Sequence, residues 1–127
     1  MDVLAIFYST QGFYDAAEPH YQRDLYIRET QLGETHLDTV TSLNNLADLY
    51  YKQSRSEQAE PLYQSVLHIR ETQLGETHLD AVYNLKNLAK LYQGQGDYGK
   101  VVAIYLKLLN SQEQQLGKDH PIFDSSV

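Results

Sequence analysis

RETQLGETHLD stands at residues 28–38 of this chain and again at residues 70–80, forty-two residues later. The same offset continues outside the duplicated string, where it relates aromatic, leucine and histidine positions: Leu4, Leu46 and Leu88; Tyr8, Tyr50 and Tyr92; Tyr21, Tyr63 and Tyr105; and His36, His78 and His120. A period of this length indicates an array of stacked units, each of which buries its apolar flank against a neighbour.

Composition narrows the class of protein. A chain of 127 residues with 42% hydrophobic content has enough apolar surface for one folded domain. Its net charge of −7 argues against nucleic acid as the main partner, since phosphate binding needs clustered Lys and Arg. Without cysteine, thiolate metal sites and thiol nucleophiles are excluded. No stretch reaches the roughly twenty apolar residues of a membrane span, and we expect a cytoplasmic protein.

Within each period the apolar residues recur three and four positions apart, which predicts two helices per unit. Turn signals separate these helices at Gly12, at Ser54-Arg55-Ser56 and at Gly94-Gln95-Gly96. Leu-Gly pairs are expected to end the second helices at Gly33, Gly75 and Gly117. We therefore predict first helices near residues 2–11, 38–53 and 80–94, and second helices near residues 14–32, 56–74 and 97–116.

Small and large apolar residues recur at fixed spacing, together with a repeated turn and a polar helix segment: Leu43, Leu46, Ala47, Tyr50, Ala59, Tyr63, Val66, the LGETH turn and the SLNNLADLY segment. This pattern resembles the tetratricopeptide repeat, in the forty-two-residue form found in kinesin light chains. The resemblance implies an all-α, right-handed superhelical solenoid of antiparallel helix pairs with about three repeats. It implies one array over residues 1–127, with units near 1–36, 37–78 and 79–120, and the partial start of a next helix at 121–127.

In that architecture the first helices line a concave groove, so their non-core residues are the candidate contacts for a protein or peptide partner. Helical spacing selects Thr41, Asn44, Asn45, Asp48, Tyr51, Lys52, Tyr83, Lys86, Asn87 and Lys90. Asn can donate to and accept from a peptide backbone, whereas the Lys residues favour acidic groups. Similar Asn and Lys positions contact extended peptides in the kinesin light chain family, so the resemblance implies the same role here. The alternative is that Asn44 and Asn87 are solvated helix surface or satisfy a neighbouring turn.

The repeated histidines do not have the spacing of a metal site. Equivalent turns of neighbouring hairpins lie roughly 10 Å apart, whereas zinc ligands converge on one ion. We therefore expect His36, His78 and His120 to cap helices or shape turns. No nucleophile with a base, metal cluster or phosphate loop is visible, so we predict a non-catalytic protein without metal or cofactor.

Two local features have alternative outcomes. Asp24 stands where the other repeats carry Val66 and Leu108, so either Arg28 pairs with it or that edge of the array is wet. Asp15 followed by Glu18 resembles a capping box at the start of a second helix.

Both flanks of the array carry more apolar side chains than one internal core needs, namely Val3, Ile6, Phe7, Val102, Ile104, Leu106 and Leu109. One interpretation is a homo-oligomer that forms through uncapped ends; another is excision from a longer array; a third is that the tail, residues 121–127, folds over the last helix. The functional alternatives to peptide binding are a self-associating assembly segment and a regulatory sensor fragment of a larger signalling protein.

Overall fold

The structure, a computed structural model, describes the backbone of residues 3–119 and side chains as far as residue 116. This part of the chain forms six α-helices and no strand, which confirms the predicted all-α class. The helices are α1 (Val3–Thr10), α2 (Tyr14–Leu32), α3 (Leu37–Lys52), α4 (Ser56–Leu74), α5 (Leu79–Gln95) and α6 (Tyr98–Asp119).

The repeated histidines cap the first helices. His36 precedes α3 in an extended backbone conformation, and its Nδ1 accepts a hydrogen bond from the backbone N–H of Asp38 at 3.1 Å. His78 does the same for Asp80 ahead of α5, also at 3.1 Å. Each bond satisfies one of the N–H groups that a helix start leaves without an intrahelical acceptor. The predicted capping role is therefore confirmed for both; His120 lies outside the described residues.

Leu-Gly ends two of the second helices as predicted. Gly33 and Gly75 have φ of 94° and 95°, a region that side chains with a Cβ rarely adopt, and each follows the last residue of α2 or α4. The third pair behaves differently, since α6 runs through Gly117 to Asp119. The prediction that this helix ends at Gly117 is wrong, because glycine permits a positive φ without requiring one.

The chain divides into two compact units, Met1–Ile69 and Arg70–Val127. In the first unit, α1 packs on α2 and α2 packs on α3. Ala5, Ala17, Ala47 and Ala59 are completely buried in this unit. Side chains this short let neighbouring helices approach closely, as expected from their recurrence in the sequence.

A polar seam joins α2 to α3 within the first unit. The Ser42 hydroxyl donates to Asp24 at 2.6 Å, and the Arg28 guanidinium lies 3.5 Å from the same carboxylate. Arg28 also donates to the backbone oxygen of Asp38 at 2.9 Å. Of the two outcomes considered for Asp24, the structure shows pairing with Arg28.

The expected capping box at the start of α2 does not form. Phe13 occupies the N-cap position and has no side chain that could accept a hydrogen bond there. Glu18 instead pairs with Arg55, and Asp15 accepts from the Gln53 side chain at 2.8 Å. Both carboxylates therefore bond to side chains of the α3–α4 turn, residues 53–55, instead of to the start of their own helix.

In the second unit α5 packs on α6. Leu85, Leu88 and Leu91 of α5 are buried, as are Val101 and Ile104 of α6. Ile104 is only 9% exposed, so its assignment to the surplus apolar residues of the flank is wrong; it faces the core of this unit.

Candidate functional site

The candidate residues on α3 are partly engaged in bonds of their own unit. The Asn44 amide lies 3.5 Å from Asp48, and the Tyr63 phenol of α4 donates to the same carboxylate. The Thr41 hydroxyl donates to the backbone oxygen of Leu37 at 3.0 Å. The α3 set is completed by half-buried Asn45 and exposed Tyr51 and Lys52.

The candidate residues on α5 form a more open face. Tyr83, Lys86, Asn87 and Lys90 recur three and four positions apart, so they share one side of the helix. Tyr83 is 55% exposed, and both lysines are exposed. We call these four residues the α5 face.

Asn87 has an unusual position on the α5 face. Its side-chain nitrogen is shut off from solvent and makes no hydrogen bond to any described residue. An amide donor in this situation typically costs about 1–3 kcal/mol. The α5 face therefore carries an unsatisfied hydrogen-bond donor, which would have to turn outward to meet an acceptor on a ligand.

The candidate residues of α3 and α5 differ in charge, because equivalent positions of the two repeats carry different residue types. Asp48 and Lys90 occupy equivalent positions, as do Asn44 and Lys86. In the first unit, the phenol of Tyr63 meets Asp48; its counterpart in the second unit, Tyr105, is 52% exposed. Helical spacing predicted these candidate residues, but it carries no signal of the bonds that α3 makes within its own unit.

An open groove on the second unit was not predicted. It has a volume of about 1150 Å³ and lies between the start of α5 and the second half of α6. Apolar residues dominate its walls, including Leu79, Val82, Leu108 and Leu109. A signal was present: Leu108 stands where α2 has Asp24.

Metal ligands do not gather anywhere in the described part of the chain. No group of three or more His, Cys, Asp or Glu residues there could hold an ion. His36 and His78 each use Nδ1 for a helix cap. Among the helices described, none combines the length and apolar character required to cross a bilayer.

Comparison with known proteins places these helix pairs in a family. The tetratricopeptide repeat model matches residues 1–72, and a second model of the same description matches residues 85–119. No curated protein matches the chain.

Solved structures share the fold. BtubC (BKLC) from P. vanneervenii is 25% identical, with a TM-score of 0.78 over 87% of this chain and 44% of its own. A putative kinesin light chain of nearly identical TPR-like repeats from Podosopora anserina is 24% identical, with a TM-score of 0.76 over 97% of this chain and 58% of its own. A single-residue variant of that second protein is 23% identical over the same shares, with a TM-score of 0.77.

This chain thus spans about half the length of the solved structures that it matches. The family model covers more than half of the chain, and the same helix pairs recur in the kinesin-light-chain-like structures. The chain therefore belongs to the tetratricopeptide repeat family, with repeats whose fold is of the kinesin-light-chain type.

Proposed function

We propose that this chain is a non-catalytic module that binds a peptide segment of a partner protein through the exposed faces of its first helices. Tetratricopeptide repeats are generally protein-interaction modules, and this supports the coarse assignment. The cytoplasm is the proposed compartment, and the absence of cysteine fits a reducing environment.

The α5 face carries this proposal. Peptide carbonyl groups are acceptors, and the unpaired amide of Asn87 supplies a donor next to two exposed lysines. Binding a carbonyl there would relieve the cost of the buried, unpaired nitrogen. The Asn87 side chain would have to rotate outward to reach such a carbonyl, because its nitrogen is closed to solvent.

Charge defines the class of peptide. Lys86 and Lys90 lie one turn apart and are both exposed, so they favour acidic side chains or a carboxylate terminus on the ligand. On α3, Asp48 already accepts from Tyr63 and therefore offers less to a ligand. We expect α5 to provide the binding energy, with an affinity near micromolar, about −8 kcal/mol.

A displayed library of random peptides, selected on the purified chain, tests the proposal without a known ligand. Enriched peptides should be rich in Asp and Glu. A synthetic fluorescent copy of one such peptide should bind at least about tenfold more weakly to Lys86→Ala/Lys90→Ala and to Asn87→Ala than to the wild type.

Matched controls separate the α5 face from general charge. Arg23→Ala removes an exposed basic residue from α2, and Asn110→Ala removes an exposed Asn from α6; neither should change binding. Equal losses in the controls, or unchanged binding in the α5 variants, would remove these residues from the proposed site.

A further inference from the structure

The contact between α2 and the α3–α4 turn provides a template for how one repeat meets the next. Glu18 of α2 pairs with Arg55, and Gln22 of α2 donates to the Tyr50 phenol at 3.1 Å. Tyr21 lies beside them and is 8% exposed. Polar pairs thus hold this junction together around a buried tyrosine.

The corresponding positions on α6 are apolar. Two periods after Glu18, Tyr21 and Gln22 stand Val102, Tyr105 and Leu106. They are 55%, 52% and 61% exposed, and we call them the C-terminal face. The intermediate repeat keeps Glu60, Tyr63 and Gln64 at these positions, so only the last second helix has lost the polar side chains.

A complementary change occurs at the other side of the chain. One period before Arg55 stands Phe13, which is 58% exposed. One period before Leu46 and Leu49, which are 5% and 1% exposed, stand Leu4 and Phe7, which are 45% and 52% exposed. We call Leu4, Phe7 and Phe13 the N-terminal face.

The two faces match position by position. In the template, Glu18 meets Arg55; the equivalent pair between the two faces is Val102 with Phe13, both apolar and both more than half exposed. The pair equivalent to Gln22 with Tyr50 is Leu106 with Tyr8. An apolar pair therefore stands where the template has an ion pair, and the change is present on both sides at once.

We propose that the C-terminal face of one copy of this chain binds the N-terminal face of a second copy, head to tail, as α3 and its turn bind α2. Such a contact is heterologous, so it leaves one face of each kind open and can propagate into rings or fibres. Burial of the exposed apolar side chains drives it, because no described element covers them.

Register substitutions test this pairing. Val102→Glu introduces the residue that α2 and α4 carry, and Phe13→Arg introduces the residue found at position 55; both sites are exposed, so the helices should be retained, as circular dichroism can verify. In sedimentation velocity from micromolar to millimolar concentration, wild type should associate reversibly. Each single variant should weaken association about tenfold or more, because it leaves a charge without a partner in an apolar contact.

Rescue distinguishes head-to-tail binding from nonspecific clustering of apolar surfaces. An equimolar mixture of the two single variants, and likewise the double variant, should recover association, since the introduced carboxylate and guanidinium can then form the ion pair of the template. In the mixture, the unchanged N-terminal face of the Val102→Glu variant also matches the unchanged C-terminal face of the Phe13→Arg variant. Tyr26→His, which exchanges one exposed aromatic of α2 for the residue type found at position 68, should leave association unchanged.

Three outcomes would each overturn the proposal: a wild type that stays monomeric, single variants that associate like wild type, or a mixture that remains monomeric. Leu106→Gln, which introduces the residue type of Gln22 and Gln64, provides a second variant on the C-terminal face. It should weaken association less than Val102→Glu, because it introduces no charge.

Discussion

Arg28 and Arg70 occupy the same place in the duplicated string, yet they bind different partners. Arg28 lies beside the Asp24 carboxylate, which also accepts from Ser42. Arg70 instead donates to the Asn84 side chain at 2.7 Å, and Asn84 is completely buried. The positions that differ are outside the string: Asp24 and Ser42 in one repeat correspond to Val66 and Asn84 in the next. The repeated residues determine the helices and turns, whereas the unrepeated ones determine how each arginine is satisfied.

The largest loss of stability should come from breaking the bond between Arg70 and Asn84. Asn84→Ala removes the acceptor of a guanidinium whose Nε also lacks a partner among the described residues. We expect a loss of about 2–3 kcal/mol in the free energy of unfolding, because a bond to a charged group is lost and the donor stays partly buried. Urea denaturation followed by circular dichroism measures it. Ser42→Ala, the equivalent change in the first unit, should cost less, since Ser42 bonds to Asp24 and Arg28 keeps both of its own acceptors; equal losses would show that the two arrangements are not energetically distinct.

Introducing the residues that surround Arg70 at the equivalent positions around Arg28 sharpens the comparison. Asp24→Val alone should destabilise the chain by about 1–2 kcal/mol, since Ser42 loses its acceptor and Arg28 loses its carboxylate. Combined with Ser42→Asn, it recreates the Val66 and Asn84 pair, and Arg28 can bind the new amide. The double-mutant cycle should therefore give a favourable interaction energy. If the effects of Asp24→Val and Ser42→Asn on the free energy of unfolding were strictly additive, the residues at positions 24 and 42 would not be matched to each other.

The histidine caps should behave alike in both repeats, in contrast to the arginines. His36→Ala and His78→Ala each remove the acceptor for one backbone N–H at a helix start, and each should cost about 1 kcal/mol. His→Asn at either site should recover most of this, because Asn is a preferred cap. Thermal unfolding of the four variants gives the comparison, and a loss at only one site would contradict the equivalence of the two turns.

The sequence predicted the structural features that recur every forty-two residues. Helices, the turns at Gly33 and Gly75, the histidine caps and the completely buried alanines all repeat, so one interpretation applied to several copies. It did not predict contacts for which one partner occurs in a single repeat. Spacing predicts a cap for Glu18, but Glu18 pairs with Arg55, which has Phe13 and Asp97 at the equivalent positions. Spacing also predicts Ile104 on the flank, but Ile104 is buried.

The candidate site divides in the same way. Helical spacing was enough to place the α3 and α5 residues on their helices. Spacing carries no information about which side chains bond to each other, so the commitment of Asp48 to Tyr63 and the unpaired amide of Asn87 became visible only in the structure.

The smallest effects on stability are expected at two cation–π contacts of similar geometry, and they should differ between the two. Arg55 lies 4.5 Å from the centre of the Tyr50 ring and also pairs with Glu18; Lys100 lies 4.9 Å from the centre of the Tyr92 ring and 3.7 Å from Asp97. The arginine pair joins α2 to the α3–α4 turn and is partly buried, whereas Lys100 and Asp97 are about half exposed and close in sequence. We therefore expect Arg55→Ala to cost about 0.5–1 kcal/mol and Lys100→Ala less than about 0.5 kcal/mol, because solvent screens exposed pairs.

Raising the salt concentration in urea denaturation should reduce the Arg55 effect and leave the Lys100 effect near zero. If the two substitutions had equal costs at every salt concentration, the ring contact would dominate, and the Glu18 pair would contribute little to joining α2 to the α3–α4 turn.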